Sequence, residues 1–461
     1  MKDANKLLYG LFFIFVTAFI IIALKGLITP QHGDENVYYY MGKLITEGKI
    51  PYRDFFFAHP PLHIFLIALI YNIIGFKLVV LKSVPLISTL TSALFILKIV
   101  KEKFGFVEAI VSSLLFLFSY SVIFNSVFSF GIDIATTFLV IGLYFLYNKS
   151  NYISSGIFFG FAGITRLLSL VPIIIIFVII FLSNKKGFLK LLTGFLAIFL
   201  LVNGIFIILF GDKYLMPVYK FHVLKSFVAE ENFMEYLDII KLNWILFSSA
   251  LLFIFVKNKK LIGMLAIVSI VYLLFLTTLR KIFGFYFVVI FPFLAIIGGY
   301  SIVNIFRNIF TKKFLFKRFF LLFLLLIFAW DLASNILFLE RIGFRGFERG
   351  KDIIDFINLN SNKNTLLFGD DSVVPLLSLQ TNKRIALDFV DTNNQVFISG
   401  LKDLNTVLSD LKGKEVFFVL RNKQGISSFV VVRDFVNKNC ELLSQFHDKI
   451  EGDYLVYGCN G

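Results

Sequence analysis

The sequence predicts a polytopic α-helical membrane protein with about eleven transmembrane helices, followed by a small extracytoplasmic α/β domain. Three observations predict it. The 461 residues are 58% hydrophobic, with 61 Phe and a mean hydropathy of +0.84, more apolar side chain than a soluble core of this size encloses. Apolar runs of roughly the length that crosses a bilayer, about 20 residues, follow one another through the first three quarters of the chain. After Leu339 the pattern changes abruptly to short alternating strand-like and helix-like segments.

In chain order, residues 7–28 form an unbroken apolar run behind "MKDANK" with no small-residue cleavage site after it, and read as a retained first span. Further spans are expected at 78–98, 107–128, 132–148, 152–165, 168–183, 188–210, 242–256, 261–279, 283–303 and 319–338. Residues 152–183 also fit one long tilted helix. The apolar stretch 60–76 has the length of a re-entrant or interfacial helix. If it does not cross, "KIVKEK", "NKSN", "NKKGFLK", "KNKK" and "RNIFTKKFLFKR" all fall on the side of the N-terminus, the asymmetry expected of cytoplasmic loops. The N-terminus is therefore expected inside and the stretch 29–77 outside.

The net charge of +15 belongs to this membrane part, because residues 339–461 carry 15 basic and 16 acidic side chains. Anionic lipid headgroups account for the excess without nucleic acid. In the tail, "TLLFGD", "RIALDF", "EVFFVL" and "DYLVYGC" read as strands. "GKDIIDFINLN", "SVVPLLSL", "DLNTVLSDL" and "ISSFVVVRDFVNK" read as helices. The division expected is 1–338 in the membrane and 339–461 outside it. Both cysteines, Cys440 and Cys459, lie in the outer domain, where a bridge between them is permitted. "GDDS" at 369–372 reads as an acidic turn capping the next helix. The chain has no Walker loop, no GxGxxG opening a helix, no HExxH and no CxxC. No motif calls for a cofactor, and a divalent metal stays open.

The first outer loop, "QHGDENVYYYMGKLITEGKIPYRDFFFAHPPLHIFL", concentrates the chemistry. From Glu35 to Thr46, Val37, Tyr40, Met41, Leu44 and Ile45 share one helical face, as in an amphipathic helix lying on the membrane surface. Asp34 stands at the start of that helix, where an N-capping role is the plain reading.

The same stretch resembles the C-type glycosyltransferases that use lipid-phosphate sugars, the protein O-mannosyltransferases and aminoarabinose transferases. The elements are Asp34-Glu35, the aromatics Tyr38 to Tyr40, Gly48, Pro51-Tyr52 with Asp54, and His59-Pro60-Pro61-Leu62. Weaker likenesses follow in "FNSVFSFGIDIATTFL", "GIFFGFAGITRLLSLVPI", "RKIFGFYFVVIFPFLAII" and the tail. The resemblance implies sugar transfer from a polyprenyl-phosphate donor to an extracytoplasmic acceptor, with Asp34 as general base, Glu35 beside it and Asp133 as a second acid. A phosphate leaving group gains negative charge in the transition state and asks for cations. His59, Arg166, His222, Lys225 and Arg280 are the candidates. Tyr38, Tyr52 and Asp54 would contact substrate. His59 departs from the Lys of the aminoarabinose transferases and agrees with the mannosyltransferases.

Each candidate also has a plain structural reading. Arg166 fits a cation snorkelling to the interface, Arg280 with Lys281 fits flanking charge, and His222 fits a solvated loop. Asp331, within the last span, has no counterpart in the resemblance. A multi-span transporter is the rival class, although its charges would gather near the bilayer midplane. A catalytically silent lipid-binding or scaffold relative is the other.

Overall fold

The structure, a computed structural model, describes residues 2–227, 229–256, 260–309, 314–449 and 451–459. The chain divides into two compact units: one made of Met1–Ile28, Lys82–Ile205 and Val228–Phe344, the other of Thr29–Leu81, Phe206–Phe227 and Arg345–Gly461.

The first unit is helical and polytopic in pattern. Every expected span falls on helix. Among the described residues, however, only Leu78–Lys103, Lys185–Phe210 and Gly284–Asn308 are long and apolar enough to cross by themselves. A fourth crossing is counted if Ala229–Leu242 and Trp244–Phe255, bent by 80° at Asn243, form one broken span. The others are interrupted for local reasons. The 107–128 segment breaks at Ser119 between Phe106–Leu117 and Tyr120–Asn125. The 152–183 segment is two helices, because Arg166 is extended (φ −148°, ψ 127°) between Tyr152–Thr165 and the turn leading into Leu170–Ser183.

Glycine sets the closest packing here. A Cβ on Gly156 would collide with the Leu191 carbonyl, and one on Gly194 with the Ile153 carbonyl, so helices Tyr152–Thr165 and Lys185–Phe210 touch backbone to backbone. Polar pairs fasten other helices. Glu108, 1% exposed, takes both guanidinium nitrogens of Arg307 at 2.5 and 3.3 Å. Asp331 finds its role in the same way: its carboxylate accepts from Trp244 Nε1 at 2.6 Å and from Asn335 Nδ2 at 3.1 Å, tying two helices.

The second unit combines the first outer loop with the tail. Its sheet has four strands, β1 (Leu366–Gly369), β2 (Val416–Arg421), β3 (Glu441–Asp448) and β4 (Gly452–Cys459), in the order β1-β2-β4-β3. β1 and β2 run parallel; β4 is antiparallel to both β2 and β3. β2 is buried over five of its six residues, VFFVL, as a central strand should be. A Cys440–Cys459 disulfide joins the start of β3 to the end of β4, as the outer-compartment reading expects.

Two expected elements differ. "RIALDF" supplies only an isolated bridge at Ile385, because Leu387 (φ 61°) and Asp388 (φ 51°) take left-handed backbone that a strand cannot hold. β3 was not expected, since "ELLSQFHD" is an exposed edge strand with no buried alternating face to announce it. The helix Asp34–Thr46 forms at the expected place but does not lie open on a surface. Its residues from Glu35 to Leu44 are all buried, and Tyr40 Oη accepts from Ile385 N at 2.9 Å. The helix Leu62–Ile74 has 13 residues. At 1.5 Å per residue that is about 20 Å, short of a hydrocarbon core of about 30 Å.

Candidate functional site

The site builds from Gly33. Its backbone (φ 148°, ψ 173°) is a conformation open essentially to glycine alone, and its N–H donates to the Ser372 carbonyl at 2.9 Å. Asp34 is thereby the first residue of the helix and not its cap, and its side chain is exposed while Glu35 behind it is fully buried. Glu35 Oε2 accepts from Tyr39 Oη at 3.2 Å. The capping role open to Asp34 in the sequence therefore falls to the Gly33 backbone.

His59 is the second focus. Tyr38 Oη lies 3.1 Å from His59 Nε2, and Tyr52 Oη donates to the His59 carbonyl at 2.7 Å. The His222 ring stacks on that of His59, centroids 5.5 Å apart and planes 26° apart, and its Nε2–H donates to the Ala58 carbonyl at 2.8 Å. Tyr52 holds this arrangement from a left-handed backbone (φ 68°), boxed by Phe57, Phe206, Phe210 and Tyr214. Tyr52 is 5% exposed, with its hydroxyl engaged at the His59 carbonyl. Asp54 likewise serves the loop. Its Oδ2 accepts from Ile50 N at 2.7 Å, and the hydrogen bond from Arg53 holds its carboxyl down to about 2.

The tail adds acids that sequence reasoning passed over. In the turn after β1, Asp370 is committed to local bonds. Its Oδ1 accepts from Ser372 N at 3.0 Å and its Oδ2 from Arg421 Nε at 2.9 Å. No side chain of "GDDS" caps the helix Val374–Thr381, contrary to expectation, because Asp370 is spent on the turn and on Arg421. Burial pushes Asp371 well above the usual carboxylate range, with the charges of Asp370, Asp34 and Asp391 adding to it. Burial and then the charge of Asp34 raise Asp391 to about 6, against the opposing pull of Lys225. Lys225 is 9% exposed, with Nζ 5.0 Å from the Phe221 ring centroid. Thr392 donates to the Gly369 carbonyl, fastening the Asp391 segment to the same turn. The available signal was the adjacent Asp pair behind a strand ending in glycine.

Asp34, Glu35, Tyr38, Tyr52, Asp54, His59, His222 and Lys225 thus all belong to the second unit. Asp133, Arg166 and Arg280 belong to the first. There Asp133, 3% exposed, accepts from Thr89 Oγ1 at 3.3 Å, and an Arg166 guanidinium nitrogen donates to the Phe130 carbonyl. The Arg280 carbonyl, with that of Leu279, accepts from Asn232 Nδ2. Lys82, overlooked within an apolar run, is fully buried and donates to the Gly26 carbonyl at 3.0 Å. Among the described residues no group of three His, Cys, Asp or Glu side chains is arranged to hold a metal ion.

Comparison with known proteins bears on this arrangement. ArnT from Cupriavidus metallidurans bound to undecaprenyl phosphate superposes with a TM-score of 0.67 at 14% identity, over 97% of this chain and 98% of that one. The chain has the fold of the C-type glycosyltransferases. The same C-type fold relates it to the Archaeoglobus fulgidus oligosaccharyltransferase, solved in complex with Zn and sulfate (TM-score 0.57, 11% identity, 97% of this chain, 73% of that one). Arabinofuranosyltransferase AftD from Mycobacteria also matches (TM-score 0.56, 11% identity, 98% of this chain, 40% of that one). The sequence of residues 58–206 matches the family described as dolichyl-phosphate-mannose-protein mannosyltransferase. That match takes in His59-Pro60-Pro61 and begins downstream of Asp34. No curated protein matches the sequence.

Proposed function

We propose that this multi-pass membrane protein transfers a sugar from a polyprenyl-phosphate carrier to an extracytoplasmic acceptor, with Asp34 as the general base. The carrying observation is the exposed Asp34 carboxylate, set at a helix start by the Gly33–Ser372 backbone bond in the same compact unit as His59, His222 and Lys225. The acceptor oxygen bonds to the anomeric carbon and gives its proton to Asp34. The bond from that carbon to the phosphate oxygen breaks, and the polyprenyl phosphate leaves with the electron pair. His59 and His222 supply donors for the growing phosphate charge, and Lys225 adds a fixed cation. The resemblance extends the reading to Asp133 as a second acid and to Arg166 and Arg280 as cations. Within this reading residues 1–338 are assigned to the membrane domain and 339–461 to a domain outside the cytoplasm, with the N-terminus inside, although the compact units group the first outer loop with the tail.

The fold shared with ArnT, whose structure contains undecaprenyl phosphate, supports a lipid-phosphate donor. A transporter or silent scaffold would leave the carrier's sugar in place. The test uses membranes given labelled polyprenyl-phosphate hexose, comparing wild type with Asp34→Asn: only the wild type should release sugar from the lipid.

A further inference from the structure

The turn at 370–372 holds a carboxyl group that the fold does not use. Asp370 is consumed by Ser372 and Arg421. Asp371, only 7% exposed, accepts no hydrogen bond from any described residue; Arg421 reaches it through its field alone. The charges of Asp34 and Asp391 both oppose its ionisation. Two hydrogen bonds hold it there: Gly33 N–H to the Ser372 carbonyl, and the Thr392 hydroxyl to the Gly369 carbonyl. The turn is therefore fastened to the start of the Asp34 helix on one side and to the Asp391 segment on the other.

Resting on the transferase reading above, we propose that Asp371 binds the acceptor, and that the acceptor is a neutral, hydroxyl-bearing molecule. A hydroxyl group is both donor and acceptor, so it satisfies the Asp371 carboxyl in either protonation state. A phosphate ester would bring further negative charge against Asp34, Asp371 and Asp391, which like-charge repulsion opposes. The neighbouring acceptor hydroxyl is the one whose oxygen attacks the anomeric carbon and whose proton passes to Asp34. Asp371 forms and breaks no covalent bond. It fixes which hydroxyl lies against the base, and the outer domain thereby selects the substrate.

The experiment uses the full chain in native-cell membranes, with tritiated polyprenyl-phosphate mannose, glucose and galactose as donor probes. Labelled product should be stable to mild acid, as an O-glycoside is and a glycosyl phosphate is not. Asp371→Asn should raise the amount of acceptor extract needed for half-maximal transfer by 10-fold or more and leave donor half-saturation unchanged. The thermal midpoint of the purified variant should equal or exceed that of wild type, because a group held for structure would lower it. Acid-labile product, wild-type acceptor dependence in Asp371→Asn, a shift in donor half-saturation instead, or a lower midpoint would each overturn the assignment. Absence of sugar release by the wild type would retire the transferase reading itself, and this assignment with it; equal release by Asp34→Asn would retire only Asp34 as the base.

Discussion

Asp391 carries an energetic signature that can be measured without any substrate. Burial and the Asp34 charge lift its carboxyl from 3.8 to about 6 in the folded chain. The folded state therefore holds a proton over the window from about pH 4 to 6 in which the unfolded state has released it, so stability falls as pH rises through that window. The shift of roughly two units corresponds to about 3 kcal/mol lost above pH 6. Asp391→Asn should flatten the pH dependence of the unfolding midpoint and raise the midpoint at pH 7; an unchanged profile would show that Asp391 ionises freely. Gly33 gives a second prediction at this scale. A Cβ there meets nothing within 4 Å, so Gly33→Ala tests backbone strain alone. Destabilisation of about 1–3 kcal/mol, with loss of turnover as Asp34 is displaced, is expected in thermal and activity assays. Neutrality in both would mean that the backbone at this position can relax.

Helices and strands show where sequence reading succeeds and where it stops. Apolar runs announce membrane helices because burial in lipid leaves long unbroken patterns, and all the expected spans fall on helix. Their interruptions at Ser119 and Arg166 are extended backbone at single residues, which no periodicity encodes. β3 was invisible because an exposed edge strand needs no apolar face, whereas β2 was plain because it is central. The Asp34 side of the site could be read from a local motif. Asp371 and Asp391 could not, since they reach Asp34 only through folding across more than three hundred positions of chain. Glycine packing offers the element-scale prediction. Gly156→Leu should disrupt the contact between helices Tyr152–Thr165 and Lys185–Phe210, lowering the midpoint of the detergent-solubilised protein by the equivalent of about 3 kcal/mol or more. Gly204→Leu, on the same second helix but with open space at its Cβ, should be tolerated. Equal behaviour of the two variants would contradict the close approach.

At the scale of the whole molecule, the proposed topology has the first outer loop and the tail outside the cytoplasm and the basic loops inside. Exposed positions report on this topology. With the native Cys440–Cys459 bridge leaving no free thiol, single cysteines at Glu47 and Lys363 should react with an impermeant reagent added from outside. One at Lys103 should react only after permeabilisation, and the reverse pattern would invert the topology. The central claim, that this fold carries out sugar transfer with Asp34 as its base, is tested most directly by one comparison. Membranes holding wild type, Asp34→Asn or Glu35→Gln are given labelled polyprenyl-phosphate hexose, and the rate at which sugar leaves the lipid is followed. The account predicts a loss of about 10²-fold or more for Asp34→Asn, the scale of general-base catalysis, and a smaller loss for Glu35→Gln, whose carboxyl is buried against Tyr39. Turnover near the wild-type rate in Asp34→Asn would contradict it.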